Sequence, residues 1–225
     1  MKRLTNFKPG MGTMTKEFWA TGSSPIVVTL NPLDKAAQLT LSNGDLTILK
    51  TGANGRAMIR ATHGISSGKG YFEMTATYKQ AQGFCIGLCD KTYAGDMITH
   101  IGFETGQISW YTTNTVKRVY QDGSYSTQST GENYVTGETV GCAFDIDDGK
   151  MYMCDDLGTW LNGADPVAGT NTEPEWQGMD SGPWYPGLSL YDNPDSMTIN
   201  FGASAFVHGA PSGYVSYNDL VTSQQ

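Results

Sequence analysis

The sequence predicts an all-β fold, a sandwich or a barrel, in one main domain. Many short segments alternate apolar and polar residues, and turns rich in Gly, Asn, Asp and Ser separate them. Glycine is abundant, at 28 of 225 residues, and long helical periodicity is absent. Apolar residues make up 39% of the chain and aromatic residues 11%, which is enough for a single packed core.

The first hairpin is predicted where Asn43-Gly44 interrupts an alternating apolar sequence. Both residues tolerate positive φ, so a two-residue turn is favoured. This turn would pair Leu41 with Leu46 and Leu39 with Ile48. The four apolar side chains would then lie on one buried face, as a half-buried sheet requires.

A second hairpin is predicted over residues 140–154, around an Asp148-Gly149 turn. That register pairs Phe144 with Met153. It also places an Asp147–Lys150 ion pair on the opposite face, worth about 0.2–1 kcal/mol. The buried face would carry Phe144, Ile146, Met151 and Met153.

Residues 66–70 predict a tight turn that runs directly into an alternating strand, Tyr71–Tyr78. A later strand, Met197–Phe201, would close the sheet. Because successive side chains of a strand point to opposite faces, the two strands would bury Phe72, Met74, Ala76, Met197, Ile199 and Phe201.

Charge is distributed unevenly along the chain. The first 16 residues carry four basic side chains and no acid, while the rest carry 10 basic and 22 acidic side chains, a net charge of −12. A nucleic-acid binder needs a broad basic face, so nucleic acid is not an expected partner. We interpret residues 1–34 as an arm with one strand at Ile26–Leu30, residues 35–217 as the sandwich and residues 218–225 as a tail. Candidate attachment residues in the arm are Lys2, Arg3, Phe7, Lys8, Phe18 and Trp19.

The four cysteines are expected to be free and mostly buried. Cys85 and Cys89 lie four residues apart in one strand, roughly 13 Å at a rise of about 3.3 Å per residue, which is too far for a disulfide. Cys142 and Cys154 would lie on opposite faces of their hairpin. Free thiols indicate folding in a reducing cytoplasm. The sequence contains neither a signal-peptide core nor a segment that would insert in a membrane.

Two long polar stretches, residues 112–139 and 155–182, are predicted to be surface loops, where binding residues usually lie. Aromatic and arginine side chains dominate interface energies, so those in and beside the loops are the candidates for ligand binding. They are Trp110, Tyr111, Lys117, Arg118, Tyr120, Tyr125 and Trp176. Among the aromatic residues we expect Tyr120, Tyr125 and Trp176 to be exposed, and Trp160 and Trp184 to be buried.

No catalytic residues, metal site or cofactor are predicted. Residues 64–68 match the Gly-x-Ser-x-Gly nucleophile elbow, but that motif needs a helix after it, and here a strand follows. Asp145, Asp147 and Asp148 could suggest calcium, which takes six to eight oxygen ligands. However, Asp145 and Asp147 would lie on a strand with Lys150 directly across, so an ordinary hairpin is favoured. Glycan cleavage needs two carboxylates about 5–10 Å apart. It stays open as an alternative, with candidates Asp155, Asp156, Asp165, Glu173 and Glu175.

Four segments occur in an order and spacing that resemble the SPRY domain, a bent antiparallel β-sandwich of the concanavalin-like jelly-roll type. The resemblance covers roughly residues 35–217. Gly70 departs from the family pattern, which often has an aromatic residue there, and leaves room for an arm to pack across. The four segments are the Leu39–Ile48 hairpin with Leu41–Leu46; Arg60–Gly64 with Ser67–Glu73; Gly141–Met153 with Gly158–Asn162; and Tyr185–Leu190 with Ile199–Gly202 and Pro211–Tyr214.

In detail, the Leu-Ser-Asn-Gly and Gly-Thr-Trp-Leu-Asn segments are similar to those of SPRY domains in bacteriophage virion proteins. The resemblance implies a non-catalytic interaction module, carried as capsid decoration or as a head or tail fibre and made in the host cytoplasm. It implies virion subunits as partners of the arm and a host-surface glycan or protein as a further ligand. Self-association into a homo-oligomer stays open, and so does the alternative of a cellular adaptor that binds a protein partner.

Overall fold

The computed structural model describes residues 26–80, 83–90, 97–112, 116–130, 134–170 and 182–225, with the backbone alone at 116–117 and 126–130. These residues form short strands, one 3₁₀ helix at Leu161–Gly163 and one α-helix, α1, at Tyr217–Ser223. The strands are β1 (Leu30–Lys35), β2 (Leu39–Ser42), β3 (Thr47–Lys50), β4 (Ala57–Ala61), β5 (Lys69–Tyr78), β6 (Phe84–Asp90), β7 (Gln107–Thr112), β8 (Val116–Gln121), β9 (Ser124–Thr130), β10 (Thr139–Asp145), β11 (Lys150–Cys154), β12 (Trp184–Leu190), β13 (Ser196–Asn200) and β14 (Val215–Ser216).

The strands form two packed antiparallel sheets, which confirms the predicted all-β sandwich. Sheet A has the order β1-β4-β12-β6-β7-β8-β9. Sheet B has the order β11-β10-β5-β13-β3-β2, and β14 adds a short parallel pairing to β5. Strands that are distant in sequence therefore lie side by side, and side chains from several parts of the chain share one sheet face.

The core lies between the two sheets, and the inward faces predicted for β5 and β13 are confirmed. The six predicted side chains of these strands, from Phe72 to Phe201, are each at most 1% exposed. Four rings pack together there with centroids between 5.6 and 6.4 Å apart, namely Phe72, Phe144, Phe201 and Tyr217. These contacts join the inner face of sheet B to α1.

Both predicted hairpins form, but each has a four-residue turn in place of the predicted two-residue turn. Leu41 pairs with Ile48, and Phe144 pairs with Met151, so each predicted register was wrong by two residues. Side chains alternate with a period of two, so a shift of two residues leaves each of them on its predicted face. The predicted core residues Leu39, Ile48, Phe144, Met151 and Met153 are accordingly buried.

Neighbouring strands account for the longer first turn. The carbonyl oxygen of Asp45 accepts a hydrogen bond from Leu30 N at 2.9 Å, and that of Leu46 accepts one from Ile199 N at 2.9 Å. Backbone groups that bond to other segments are not available for pairing across the hairpin. The turn therefore extends from residue 43 to residue 46.

The second turn is lengthened in the same way. Ile146 N donates to the carbonyl oxygen of Gly68 at 3.1 Å, and Asp147 Oδ2 accepts from Gly68 N at 3.0 Å. Asp147 thus lies in the turn, and the predicted Asp147–Lys150 ion pair does not form. Lys150 Nζ instead lies 3.8 Å from Asp148 Oδ2.

The C-terminal segment is part of the sandwich, where the sequence analysis placed a tail. Helix α1 buries Tyr217, Leu220 and Val221. A Cβ at Gly70 would clash with the Phe144 ring and would lie 2.9 Å from Leu220 Cδ2. In the described chain the space left by Gly70 is therefore filled by α1 and a core ring.

The sandwich also begins earlier than predicted, at the described end of the arm. Val28 and Leu30 are fully buried, and Val28 N donates to Asn218 Oδ1 on α1 at 2.9 Å. Strand β1 starts at Leu30 and pairs with β4, whose Arg60 Nε lies 2.6 Å from Asp34 Oδ2. The strand predicted at Ile26–Leu30 is thus displaced along the chain. The attachment candidates lie outside the described residues: Lys2, Arg3, Phe7, Lys8, Phe18 and Trp19.

All four cysteines are buried free thiols, as predicted. Burial raises the pKa of Cys85 to about 12 and that of Cys89 to about 12, so both stay protonated at neutral pH. Within the described ranges, no helix is long and apolar enough to cross a membrane.

Candidate functional site

The stretch 112–139, predicted to be a loop, contains a hairpin that extends sheet A. Strands β8 and β9 are joined by Asp122-Gly123, whose φ values are 49° and 79°, and Gln121 pairs with Ser124. This is a two-residue turn of the type that Asp-Gly favours. The predicted binding residues of this stretch therefore lie on a sheet face and not on a loop.

The hairpin register brings four of the predicted residues together on the outer face of sheet A. Arg118 pairs with Tyr111, and Tyr125 pairs with Tyr120. The ring centroid of Tyr120 lies 5.6 Å from that of Tyr111 and 5.2 Å from that of Tyr125. Because side chains alternate along β7, Trp110 points the other way, into the core.

The connections after β6 and β12 add three more rings to this face. Phe103 stacks on Tyr120 with centroids 4.1 Å apart and an interplanar angle of 20°. His100 lies 5.3 Å from Phe103 and 6.0 Å from Tyr191. We call this set the aromatic surface: Phe103, Tyr111, Tyr120, Tyr125 and Tyr191, with His100 buried among them and Arg56 and Arg118 on its rings.

Hydrogen bonds hold the connection after β6 against the sheet. Ser109 Oγ donates to the carbonyl oxygen of Ile101 at 2.5 Å, and Gln107 Oε1 accepts from Gly102 N at 2.9 Å. Gly102 has a φ of 93°, and a Cβ there would lie 2.6 Å from Tyr120 Cβ. Only glycine adopts this conformation at such close approach without strain, so Gly102 sets the stacking of the neighbouring Phe103.

Two guanidinium groups lie over the rings. Arg56 Cζ is 4.4 Å from the Phe103 centroid, and Arg118 Cζ is 4.7 Å from the Tyr125 centroid, both within cation–π range. Arg118 Nη1 also donates to Tyr120 Oη at 3.4 Å, and this hydrogen bond raises the pKa of Arg118. Both side chains remain cationic at neutral pH.

Burial keeps His100 and Tyr111 uncharged at neutral pH. His100 is 2% exposed, and burial, with a smaller effect of Arg56, lowers its pKa to about 3. Burial likewise raises the pKa of Tyr111 to about 12. The aromatic surface therefore presents neutral rings and two cations at neutral pH.

The structure places the sequence-predicted site residues in different environments. Tyr125 is 58% exposed, as predicted, but Tyr120 is only 6% exposed because Phe103 covers its face, which corrects the expected exposure. Trp110 is 3% exposed in the core, so it is not available to a ligand. The Lys117 side chain and Trp176 lie outside the described residues.

The two tryptophans expected to be buried differ from each other. Trp184 is 3% exposed, as predicted. Trp160 is half-buried, with its ring edge-on to Tyr152 at 6.5 Å. Four residues of the aromatic surface were not predicted from the sequence, namely Arg56, His100, Phe103 and Tyr191.

The acidic candidates for catalysis that the structure describes accept hydrogen bonds from backbone N–H groups. Asp155 Oδ1 accepts from Leu157 N and Thr159 N, Asp156 Oδ1 accepts from Thr139 N, and Asp165 Oδ1 accepts from the backbone N–H groups of residues 167 and 168. Glu173 and Glu175 lie outside the described residues. Nowhere in the described chain do three or more His, Cys, Asp or Glu side chains come together as a metal site would require.

Two antiparallel sheets that carry rings and guanidiniums on an outer face define a β-sandwich scaffold suited to presenting side chains for interaction. The SPRY domain family model matches residues 69–204, more than half of the 225-residue chain. The chain belongs to the SPRY domain family. SPRY domains are generally non-catalytic modules for protein–protein interaction.

Solved structures share the fold. The SPRY domain of human HERC1 matches with a TM-score of 0.57 and 14% identity, over 78% of this chain and 99% of that chain. A human SPRY domain matches with a TM-score of 0.55 and 12% identity, over 75% of this chain and 98% of that chain. The PSpry domain of TRIM65 matches with a TM-score of 0.53 and 12% identity, over 77% of this chain and 91% of that chain. No curated protein matches in sequence. The specific likeness to virion proteins stays a prediction.

Proposed function

We propose that this chain is a non-catalytic interaction module that binds a protein partner through the aromatic surface. One observation carries the proposal: exposed Tyr125 and three half-buried rings lie between two arginines on one sheet face. Clusters of aromatic and arginine side chains are typical of the residues that dominate binding energy at interfaces. The family supports the same conclusion, since SPRY domains bind protein partners generally.

A photo-crosslinking amino acid at position 125 tests this proposal in the cells that make the protein. We expect a defined covalent adduct with one partner from position 125. Tyr78, on β5 of sheet B, is the matched control because its side chain is 46% exposed, similar to Tyr125. Adducts that form equally from both positions, or from position 78 alone, would show that the aromatic surface is not the interface.

We further propose that the module works in a bacteriophage virion, as capsid decoration or as a head or tail fibre. The support is the order of the family segments and the sequence of two of them, Leu41–Gly44 and Gly158–Asn162. The basic character of the first 16 residues favours this segment as the attachment to an acidic neighbouring subunit. A cellular adaptor role predicts a host protein, in place of a virion subunit, in the adduct from position 125.

Removing residues 1–24 is expected to abolish incorporation into particles and to leave the thermal unfolding midpoint unchanged. The deletion must stop there, because Val28, Leu30 and β1 belong to the sandwich and Asp34 pairs with buried Arg60. Quantitative mass spectrometry of purified particles measures incorporation, and differential scanning fluorimetry measures folding. Normal copy number of the truncated protein would rule out residues 1–24 as the attachment segment.

A further inference from the structure

We propose that the aromatic surface recognises an acidic peptide segment of its partner. Carboxylates of the peptide would bind Arg56 and Arg118, and an apolar side chain between them would lie on Tyr125 and the half-buried rings beside it. The inference rests on the proposed function, since it names the chemistry of the partner at the same site.

Arg56 and Arg118 are cations without an ion-pair partner among the described residues of an acidic protein, which favours an acidic ligand. The chain beyond residue 16 carries a net charge of −12. In the described part of the chain, Arg60, Lys69 and Lys150 each lie within 4.0 Å of a carboxylate oxygen. No such ion pair of Arg56 or Arg118 occurs among those same residues. Unpaired cations on an otherwise acidic protein make this face electrostatically complementary to an acidic ligand.

The guanidinium groups of Arg56 and Arg118 also keep hydrogen-bond donors available for a carboxylate. Among the described residues, the Arg118 guanidinium makes one long hydrogen bond, 3.4 Å from Nη1 to Tyr120 Oη. Its Nε is buried without a partner among these residues, so the terminal Nη groups are the ones that can reach a ligand. Arg56 is exposed over Phe103. A guanidinium held over a ring keeps N–H groups free for a second ligand, and its planar donors match the two oxygens of a carboxylate.

The row of rings between the two arginines favours a peptide over a small anion. Ring contacts run from Arg56 through Phe103, Tyr120 and Tyr125 to Arg118. An inorganic anion bound at a guanidinium would leave the rings uncovered. A peptide with two separated acidic side chains and an apolar one between them would engage both cations and cover the rings, which bury apolar area well.

Fluorescence anisotropy with the full chain tests the inference with three labelled probes. The first is a peptide in which glutamates flank a central Trp-Leu pair, the second has glutamines in place of the glutamates, and the third is a sulfated heparin oligosaccharide. We expect the glutamate peptide to bind at least about tenfold more tightly than the glutamine peptide, because charge-assisted hydrogen bonds are the stronger ones. Binding should weaken as NaCl rises from about 0.05 M to about 0.5 M.

Charge-removing variants test whether the two arginines bind the glutamate peptide. Arg56→Gln and Arg118→Gln should each weaken binding of the glutamate peptide by about tenfold. Lys150→Gln removes the same charge from β11 of the other sheet and should leave the affinity unchanged. Thermal unfolding of each variant verifies that it is folded.

Several results would overturn the inference: equal affinity for the two peptides, no measurable binding of the glutamate peptide, tighter binding of the oligosaccharide, or wild-type affinity in both arginine variants. If any of these occurs while the adduct from position 125 still forms, only the preference for an acidic peptide is lost. If the adduct is absent as well, the aromatic surface is not the interface.

Discussion

Replacing Glu73 with alanine is expected to lower the free energy of unfolding by about 3–4 kcal/mol. Glu73 is 2% exposed on β5, and its carboxylate accepts four hydrogen bonds. The donors are Tyr71 Oη at 2.8 Å, Val207 N at 2.6 Å, His208 N at 2.8 Å and Gly209 N at 3.3 Å. A hydrogen bond to a charged group contributes about 1.5–3 kcal/mol, and bonds that share one acceptor are less than additive.

The same carboxylate fixes the segment after β13 across the outer face of sheet B. Phe206 packs edge-on to Tyr71 with centroids 4.9 Å apart, and His208 Nε2 lies 3.0 Å from the carbonyl oxygen of Thr139. Alanine at position 73 would leave the N–H groups of residues 207–209 without their acceptor. The expected loss therefore includes the packing of this segment as well as the hydrogen bonds themselves.

Thr75→Ala is the matched control, since Thr75 lies two residues further along the same strand face. Its Oγ1 makes one neutral hydrogen bond, 2.8 Å to Thr139 Oγ1, so the expected loss is about 1 kcal/mol. Glu73→Gln should fall between the two variants because the amide keeps one acceptor oxygen. Urea unfolding followed by tryptophan fluorescence gives the three free energies. Equal values for Glu73→Ala and Thr75→Ala would mean that the carboxylate does not hold the segment.

The alternation of apolar and polar residues along the strands was the feature of the fold that the sequence predicted best. It identified the inward faces of β5 and β13 and the buried side chains of both predicted hairpins. These faces are correct although both registers were wrong, because the error was an even number of residues. A period of two determines which side of the sheet a residue occupies, but not the residue it pairs with.

Turn chemistry predicted where two hairpins form, but not how long their turns are. Asn43-Gly44 favours a two-residue turn on local grounds, yet β1 and β13 take the hydrogen bonds of the residues that would have paired. Asp122-Gly123 does form a two-residue turn. It was overlooked because the stretch 112–139 is rich in Gly, Ser, Thr and Asn. Polar composition was interpreted as a loop, although a strand at the end of a sheet does not need apolar residues on both faces.

The aromatic surface could be predicted only where its residues come from one hairpin and its neighbour. Tyr111, Arg118, Tyr120 and Tyr125 lie close together in the sequence, and all four are found on one face. The four missed residues come from separate connections: Arg56 precedes β4, His100 and Phe103 follow β6, and Tyr191 follows β12. Strand order places β4, β12, β6 and β7 side by side, and no local sequence pattern encodes that order.

Acidification is expected to destabilise the domain through His100, by about 2 kcal/mol between about pH 7.5 and pH 5. Burial and, to a smaller extent, Arg56 lower the pKa of His100 from 6.5 to about 3 in the folded protein. The unfolded chain therefore binds the proton more readily than the folded one. The stability contributed by neutral His100 is complete above the unfolded pKa, near 6.5, and is lost as pH falls towards about 3.

His100→Asn separates this effect from the titration of other groups. Asparagine can keep a polar atom near Ser189 Oγ, which lies 3.0 Å from His100 Nδ1, but it carries no titrating ring. We expect the variant to be less stable at pH 7.5, because the ring contacts with Phe103, Tyr111 and Tyr191 are lost. Between pH 7.5 and pH 5, however, its free energy of unfolding should fall by about 2 kcal/mol less than that of the wild type.

NMR of the His100 ring measures its folded-state pKa directly. Its carbon chemical shifts should stay constant from neutral pH down to about pH 4, because the folded-state pKa is about 3. A midpoint near pH 6, or an equal loss of stability in wild type and variant, would contradict the prediction. Since the neutral ring supports Phe103 and Tyr111 from below, a charged His100 would also place a third cation beneath the aromatic surface. Peptide binding measured above pH 5 should then be free of this histidine's titration, and any pH dependence there must come from the ligand or from other side chains.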